Sequence, residues 1–92
     1  MVFRWTDEAS AEQKQRVKDA LSTLPSLVPT LRSLELGPDI GVNEGSFDFA
    51  VTASFDDLDG YLAYRDNADH RAMIRDLITP ITAQRAAVQF EY

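Results

Sequence analysis

The stretch FDFAVTASF, residues 47–55, decides the fold because apolar side chains alternate along it with small or polar ones. Five apolar residues fall on one side: Phe47, Phe49, Val51, Ala53 and Phe55. Since successive side chains of a strand point to opposite faces, the pattern predicts a strand with one strongly apolar face. That face needs a covering layer, and amphipathic segments on both sides of the strand can provide it.

Toward the N-terminus, residues 31–37 and the short run VFRW, residues 2–5, predict two further strands. Between them Ser10 can cap a helix, and Gln13 stands three residues later, as a capping box requires. An apolar stripe follows at helical spacing: Val17, Ala20, Leu21 and Leu24. Pro25 is predicted to end this helix, and the Gly-containing stretch 38–46 to form a loop between strands.

Toward the C-terminus, Asp56 or Asp57 can cap a second helix, whose inward residues are predicted to be Leu58, Tyr61 and Leu62. Residues 66–68 predict a break, after which the helix restarts near Asp69. A new apolar stripe then runs up to Pro80: Met73, Ile74, Leu77 and Ile78. Residues 86–92 are predicted to form the last strand, with Val88, Phe90 and Tyr92 on one side.

The order β-α-β-β-α-β predicts an α+β fold within one domain spanning residues 1–92. The predicted architecture is a ferredoxin-like four-stranded antiparallel sheet with helices on one face. No element covers the opposite face, so pairing two such sheets predicts a homodimer, a dimeric α+β barrel. We expect Val88, Phe90 and Tyr92 to meet the partner sheet, because the short first strand leaves that side uncovered; the alternative is packing against the helices.

Composition excludes several classes of partner. Among 92 residues, 26% are charged and none is cysteine. The formal net charge of −6 repels a phosphate backbone and argues against nucleic acid binding. No apolar run approaches the roughly 20 residues that cross a bilayer, so no membrane association is predicted. The absence of cysteine fits a reducing compartment, and we expect a cytoplasmic protein without disulfides or thiolate metal sites.

Five stretches, in this order and spacing, resemble the stress-responsive dimeric A/B barrel (Dabb) domain family: residues 2–5, 24–29, 47–58, 64–70 and 88–92. The resemblance covers essentially the whole chain and implies a homodimer in which two sheets enclose a barrel, with the helices outside. The family includes a cofactor-free plant polyketide cyclase whose tyrosine-x-x-histidine-proline-x-histidine motif performs acid–base chemistry. Tyr64 and His70 fall on its tyrosine and last histidine, whereas Asn67 and Ala68 replace the first histidine and the proline.

His70 is the only histidine, so any imidazole chemistry depends on it. It precedes Met73, Ile74 and Leu77 by three, four and seven residues, which predicts that it faces the core. Burial and a place in the first helical turn both favour neutral imidazole, which can accept a proton. One hypothesis makes His70 a general base, with Tyr64 orienting or protonating a substrate oxygen. The alternative is a buried histidine that hydrogen-bonds to the backbone.

A ligand pocket, if the fold has one, is predicted between sheet and helices, lined by Val17, Leu21, Phe49, Val51, Ala53 and Met73. The same spacings are also typical of plain core. We expect no cofactor and no metal site, because acids such as Asp56, Asp57 and Asp59 are ordinary helix-capping residues. Three functions remain open: a small cofactor-independent cyclase, isomerase or lyase; a binding module for an apolar or aromatic small molecule; and a stress-protective structural homodimer.

Overall fold

The computed structural model describes residues 1–92 and contains one four-stranded antiparallel sheet. Its strands are β1 (Val2–Trp5), β2 (Leu31–Pro38), β3 (Phe49–Phe55) and β4 (Thr82–Ala86). They lie in the order β2-β3-β1-β4. The helices are α1 (Ala11–Leu21), α2 (Leu24–Leu27), α3 (Leu58–Asp66) and α4 (Ala68–Met73), followed by a π-helical turn, Ile74–Ile78, and a 3₁₀ turn, Thr79–Ile81. The ferredoxin-like α+β fold predicted from the sequence is confirmed.

The core lies between one face of the sheet and the helices, as the alternation in β3 predicts. Phe49 and Val51 are buried, whereas Ala50 and Thr52 between them are exposed. Ten buried apolar residues form one cluster: Phe3, Trp5, Val17, Leu21, Leu24, Val28, Phe49, Val51, Ile78 and Ile81. The opposite side of the sheet, which we call the open face, is covered by no other element of the chain.

The first helix begins as predicted and ends differently. Ser10 and Gln13 form a complete capping box at the start of α1. Pro25 does not end that helix, because α1 already stops at Leu21; Pro25 lies instead in the first turn of α2. A first-turn position needs no backbone N–H, so proline is tolerated there. The short α2 holds Leu24 in the core, where its side chain is fully buried.

The prediction that Leu58 points inward is wrong. Asp57 caps α3, with its Oδ1 accepting a hydrogen bond from the Gly60 amide at 2.7 Å, and Leu58 is 68% exposed. The buried side of α3 passes through Gly60, whose carbonyl accepts a hydrogen bond from the Thr30 hydroxyl at 2.8 Å. Residues two apart on a helix differ by about 200° in direction, so Leu58 must face away.

The prediction that the last strand spans residues 86–92 is also wrong. The strand β4 ends at Ala86, which pairs with Val2 at the beginning of β1. Met1, the residue before Val2, exchanges both of its backbone hydrogen bonds with Val51 of β3, and the ladder between β1 and β4 ends at the Val2–Ala86 pair. Residues 87–92 therefore adopt no regular secondary structure. None of the helices has the combination of length and apolarity needed to traverse a bilayer.

Candidate functional site

Asn67 brings Tyr64 and His70 together by ending one helix and beginning the next. Its backbone leaves the helical conformation, with φ −58° and ψ 130°, and its N–H donates to the Tyr64 carbonyl at 3.3 Å. Its side-chain Oδ1 accepts a hydrogen bond from the His70 amide at 3.0 Å, which caps α4. The break predicted at residues 66–68 is confirmed, and Asn67 has a structural role at the position where the family motif carries histidine.

The two predicted acid–base residues are in direct contact. The ring centroids of Tyr64 and His70 are 4.1 Å apart, and the ring planes are inclined by 33°. Six residues would separate the two side chains by nearly two turns in a continuous helix, on different faces. The break at Asn67 changes the direction of the chain, so that the tyrosine ring lies over the imidazole.

His70 is buried, with 7% of its surface exposed, and its Nδ1 atom has no hydrogen-bond partner. Burial lowers the pKa of His70, while the backbone groups of Arg65 and Tyr64 act in the opposite direction with smaller effect. The imidazole is therefore neutral at physiological pH. A buried polar atom without a partner is uncommon in folded proteins, so this nitrogen calls for a functional or structural explanation.

Tyr64 is half-buried and belongs to an aromatic cluster that was not predicted from the sequence. Phe55, at the end of β3, lies 5.1 Å from the Tyr64 ring, and Tyr61 lies 6.4 Å from it. Burial raises the pKa of Tyr64, and neighbouring Tyr61 raises it further. The phenol thus stays protonated and can donate a hydrogen bond. The sequence does contain a signal for this cluster. Tyr61 and Tyr64 stand three residues apart in the helix that follows a strand ending in Phe55.

The residues predicted to line a pocket pack mostly as solid core. Four are buried: Val17, Leu21, Phe49 and Val51. Met73 is half-buried and packs against this cluster, whereas Ala53 is exposed. Val17 retains no exposed surface, so no open space lies beside this part of α1.

Two open clefts lie on the surface, and Phe49, one of the residues predicted to line a pocket, borders both of them. One of about 650 Å³ is bordered by Trp5, Asp48 and two lysines of α1, Lys14 and Lys18. A second of about 450 Å³ is bordered by residues that include Val2 and Phe47. Neither cleft includes Tyr64 or His70. No three side chains among His, Asp and Glu converge into a group that could hold a metal ion.

The buried imidazole makes the stability of the protein depend on pH. Its pKa is lower in the folded chain than in the unfolded chain, so between these two values the unfolded state binds more protons. We expect the free energy of unfolding to fall as pH is lowered below about 6.5, the unperturbed histidine pKa. The measurement is urea denaturation at pH 7.5 and 5.5 for the wild type and for His70→Gln.

The substitution removes the titrating group and leaves all carboxylates in place, so the difference between the two proteins isolates His70. Wild type should lose more stability than His70→Gln over this interval. Parallel losses in both proteins would show that His70 titrates equally in the folded and unfolded states.

The fold and this site define a small ferredoxin-like domain with a tyrosine–histidine pair at the junction of two helices. The chain belongs to the Stress responsive A/B Barrel Domain family, whose model matches residues 1–92. No curated protein matches the chain.

Solved structures share the fold over nearly the whole chain. A dimeric ferredoxin-like protein of unknown function from Thermobifida fusca YX is 44% identical, with a TM-score of 0.91 over 99% of this chain and 85% of that one. A dimeric protein of unknown function from Bacteroides fragilis NCTC 9343 is 25% identical, with a TM-score of 0.80 and coverage of 99% and 90%. A Dabb family protein from Mesorhizobium loti is 22% identical, with a TM-score of 0.74, and the match covers 90% of this chain and 82% of that protein's chain. At this level of identity the match concerns the fold alone.

Proposed function

We propose that this protein is a homodimer that binds a small aromatic or carbonyl-rich acid beside His70 and Tyr64, and that it acts on this ligand as a cofactor-independent acid–base enzyme. The observation that carries the proposal is the buried Nδ1 of His70, which has no partner within the chain and lies beside a protonated tyrosine. The reaction class is that of a cyclase, isomerase or lyase.

The chemistry follows from the protonation states of the two side chains. Neutral His70 accepts a proton from a carbon next to a carbonyl group, and the electron pair of that C–H bond moves onto the carbonyl oxygen. The Tyr64 hydroxyl donates a hydrogen bond to this developing enolate oxygen. General base catalysis of this kind contributes typically 10²–10⁴-fold to a rate. Return of the proton from His70 to another atom of the enolate completes an isomerisation.

The homodimer is supported by the uncovered sheet and by the two relatives described as dimeric. A domain of this size buries roughly 60–65% of the surface of its unfolded chain, so a second copy adds substantial burial. The cytoplasmic location stays a prediction from composition.

A non-catalytic structural homodimer is the second candidate, and one observation favours it. Most of the residues predicted to line a pocket are buried in one core cluster, and neither of the two open clefts includes His70. In that case the unpaired Nδ1 is a tolerated defect, and replacing the imidazole by an apolar ring of similar size would maintain or raise stability.

The test is a thermal-shift screen of hydroxybenzoic acids and linear diketo acids against the wild type, His70→Ala, Tyr64→Phe and Arg71→Ala. Arg71 is the exposed neighbour of His70 on α4 and provides the matched control. A ligand at a hundredfold excess over its Kd adds about 2.7 kcal/mol of stability. We expect such a ligand to stabilise the wild type and Arg71→Ala equally, and to lose most of its effect in His70→Ala.

Turnover of the ligand is then followed by chromatography of the products. Loss of turnover in His70→Ala with retained activity in Arg71→Ala supports the enzyme. If no compound stabilises any of the four proteins, and His70→Phe melts at or above the wild-type temperature, the proposal of an enzyme is wrong and the structural homodimer is the better description.

A further inference from the structure

The larger of the two open clefts, about 650 Å³, lies at the end of the sheet that is far from His70. We call it the lysine cleft; it is bordered by the end of β1, the start of β3 and one side of α1. Phe49 and Phe55 are the two ends of β3, and six residues of a strand span about 20 Å. The lysine cleft is therefore separate from the aromatic cluster around Tyr64.

The only two lysines of the chain, Lys14 and Lys18, both border this cleft. They stand four residues apart on α1, so their ammonium groups are neighbours on one side of the helix. Neither lysine belongs to any of the four ion pairs of the chain, whereas Arg16 between them pairs with Glu12. Like charges at this spacing repel each other, and an anion in the cleft would offset that repulsion.

Trp5 adds an unpaired hydrogen-bond donor at the same place. Its side chain packs on Phe49 with ring centroids 5.8 Å apart, and the residue is only 8% exposed. The indole N–H has no acceptor within the chain. It keeps access to solvent, since the only fully enclosed side-chain nitrogen or oxygen without a partner is Nδ1 of His70. Indole nitrogens usually find an acceptor when they are buried, so this donor is free for a ligand.

Carboxylates border the cleft beside these donors. Asp48 is half-buried, and its Oδ2 accepts a hydrogen bond from the Trp5 backbone N–H at 2.9 Å, which leaves Oδ1 without a partner. Asp7 and Asp39 add two further carboxylates, and none of the three forms an ion pair. A plain anion would meet these acids, and a plain amine would meet the lysines. A ligand that carries one charge of each sign satisfies both groups.

We propose that the lysine cleft binds a free α-amino acid with an uncharged side chain. Its carboxylate accepts hydrogen bonds from the Trp5 indole and the two lysines, and its ammonium group donates to Asp48. The volume falls within the roughly 300–1,000 Å³ of small-molecule sites. Most of the bordering residues are polar or charged, which suits a zwitterion. This site is independent of the function proposed for His70.

The experiment is a ¹H–¹⁵N NMR titration, in which the single tryptophan gives one indole signal. The full chain is titrated with L-alanine, L-leucine and L-glutamine, and then with two analogues of the tightest ligand, one without the amino group and one without the carboxylate. We expect the amino acid to shift the indole signal to saturation. Each analogue should bind at least about tenfold more weakly, because hydrogen bonds to charged groups are lost.

Two substitutions locate the ligand. Lys14→Gln and Asp48→Asn should each raise the Kd at least about tenfold, because each removes a charge that pairs with the ligand. The asparagine retains a side-chain oxygen for the Trp5 backbone N–H. Arg16→Gln is the matched control, since it removes a positive charge from α1 outside the cleft. It should leave the Kd within about threefold, because exposed charges that do not touch the ligand are screened.

Three results would overturn the proposal. In the first, none of the three amino acids shifts the indole signal of the wild type. In the second, the analogue without the amino group binds as tightly as the amino acid, so that the cleft recognises a carboxylate alone. In the third, Lys14→Gln and Asp48→Asn both bind with the wild-type Kd, which places the ligand elsewhere. The backbone signals of each variant show whether it keeps the wild-type fold.

Discussion

Replacement of Leu24 by alanine is expected to lower the melting temperature by on the order of 10–30 °C. The Leu24 side chain, at the start of α2, is fully buried in the core cluster, so its truncation leaves a cavity there. Leucine-to-alanine changes of this kind cost about 2–5 kcal/mol, against a total stability of roughly 5–14 kcal/mol for a domain of this length. One kcal/mol corresponds to about 4–8 °C in a domain of this size.

The matched control is Leu58→Ala, the same substitution at a position that is 68% exposed. It should change stability by less than about 0.5 kcal/mol, because no core contact is lost. Calorimetry at one fixed protein concentration measures both, since dimerisation makes the melting temperature depend on concentration. Equal destabilisation by the two substitutions would contradict the placement of Leu58 on the outside of α3.

Replacement of Val51 by aspartate is expected to prevent folding at 25 °C. Val51 is 7% exposed on the face of β3 that the helices cover, and a carboxylate there has no basic partner in the core cluster. An unpaired buried charge costs several kcal/mol, which adds to the lost apolar burial of the valine. Far-ultraviolet circular dichroism and a urea titration would show an unfolded chain.

Ala50→Asp provides the control one residue away, on the open face. There the carboxylate remains in water in the monomer, so the chain should keep its fold and melt cooperatively. In the proposed homodimer the same charge enters the space between two sheets, and we expect the variant to be largely monomeric by sedimentation. Ala50→Asp that remains dimeric with the wild-type Kd would place the interface on another surface.

Local patterns were sufficient for most of the fold. The alternation of FDFAVTASF requires only neighbouring residues, and it identified the buried side of β3 correctly. The capping box of Ser10 and Gln13 and the break at Asn67 are likewise closed by hydrogen bonds within three residues. Such features are encoded in short segments, so they can be predicted without knowledge of what packs against them.

The candidate site was predictable only in part. Spacing and the resemblance singled out Tyr64 and His70, and burial on the core side of α4 followed from the apolar stripe. The contact of their rings depends on the backbone direction at Asn67, and the contribution of Phe55 depends on where β3 ends relative to α3. These are relations between elements, for which no local pattern exists.

The sequence by itself determined the order of strands and helices, the apolar face of β3 and the residues able to perform acid–base chemistry. Only the tertiary structure decided where β4 ends, which side of α3 is buried and whether apolar residues form pocket or core. The end of β4 depends on the start of β1, more than 80 residues away, and the orientation of α3 depends on the contact of Gly60 with Thr30. The end of β4 and the orientation of α3 are both determined by which surfaces come into contact, and those contacts depend on the packing of the whole chain.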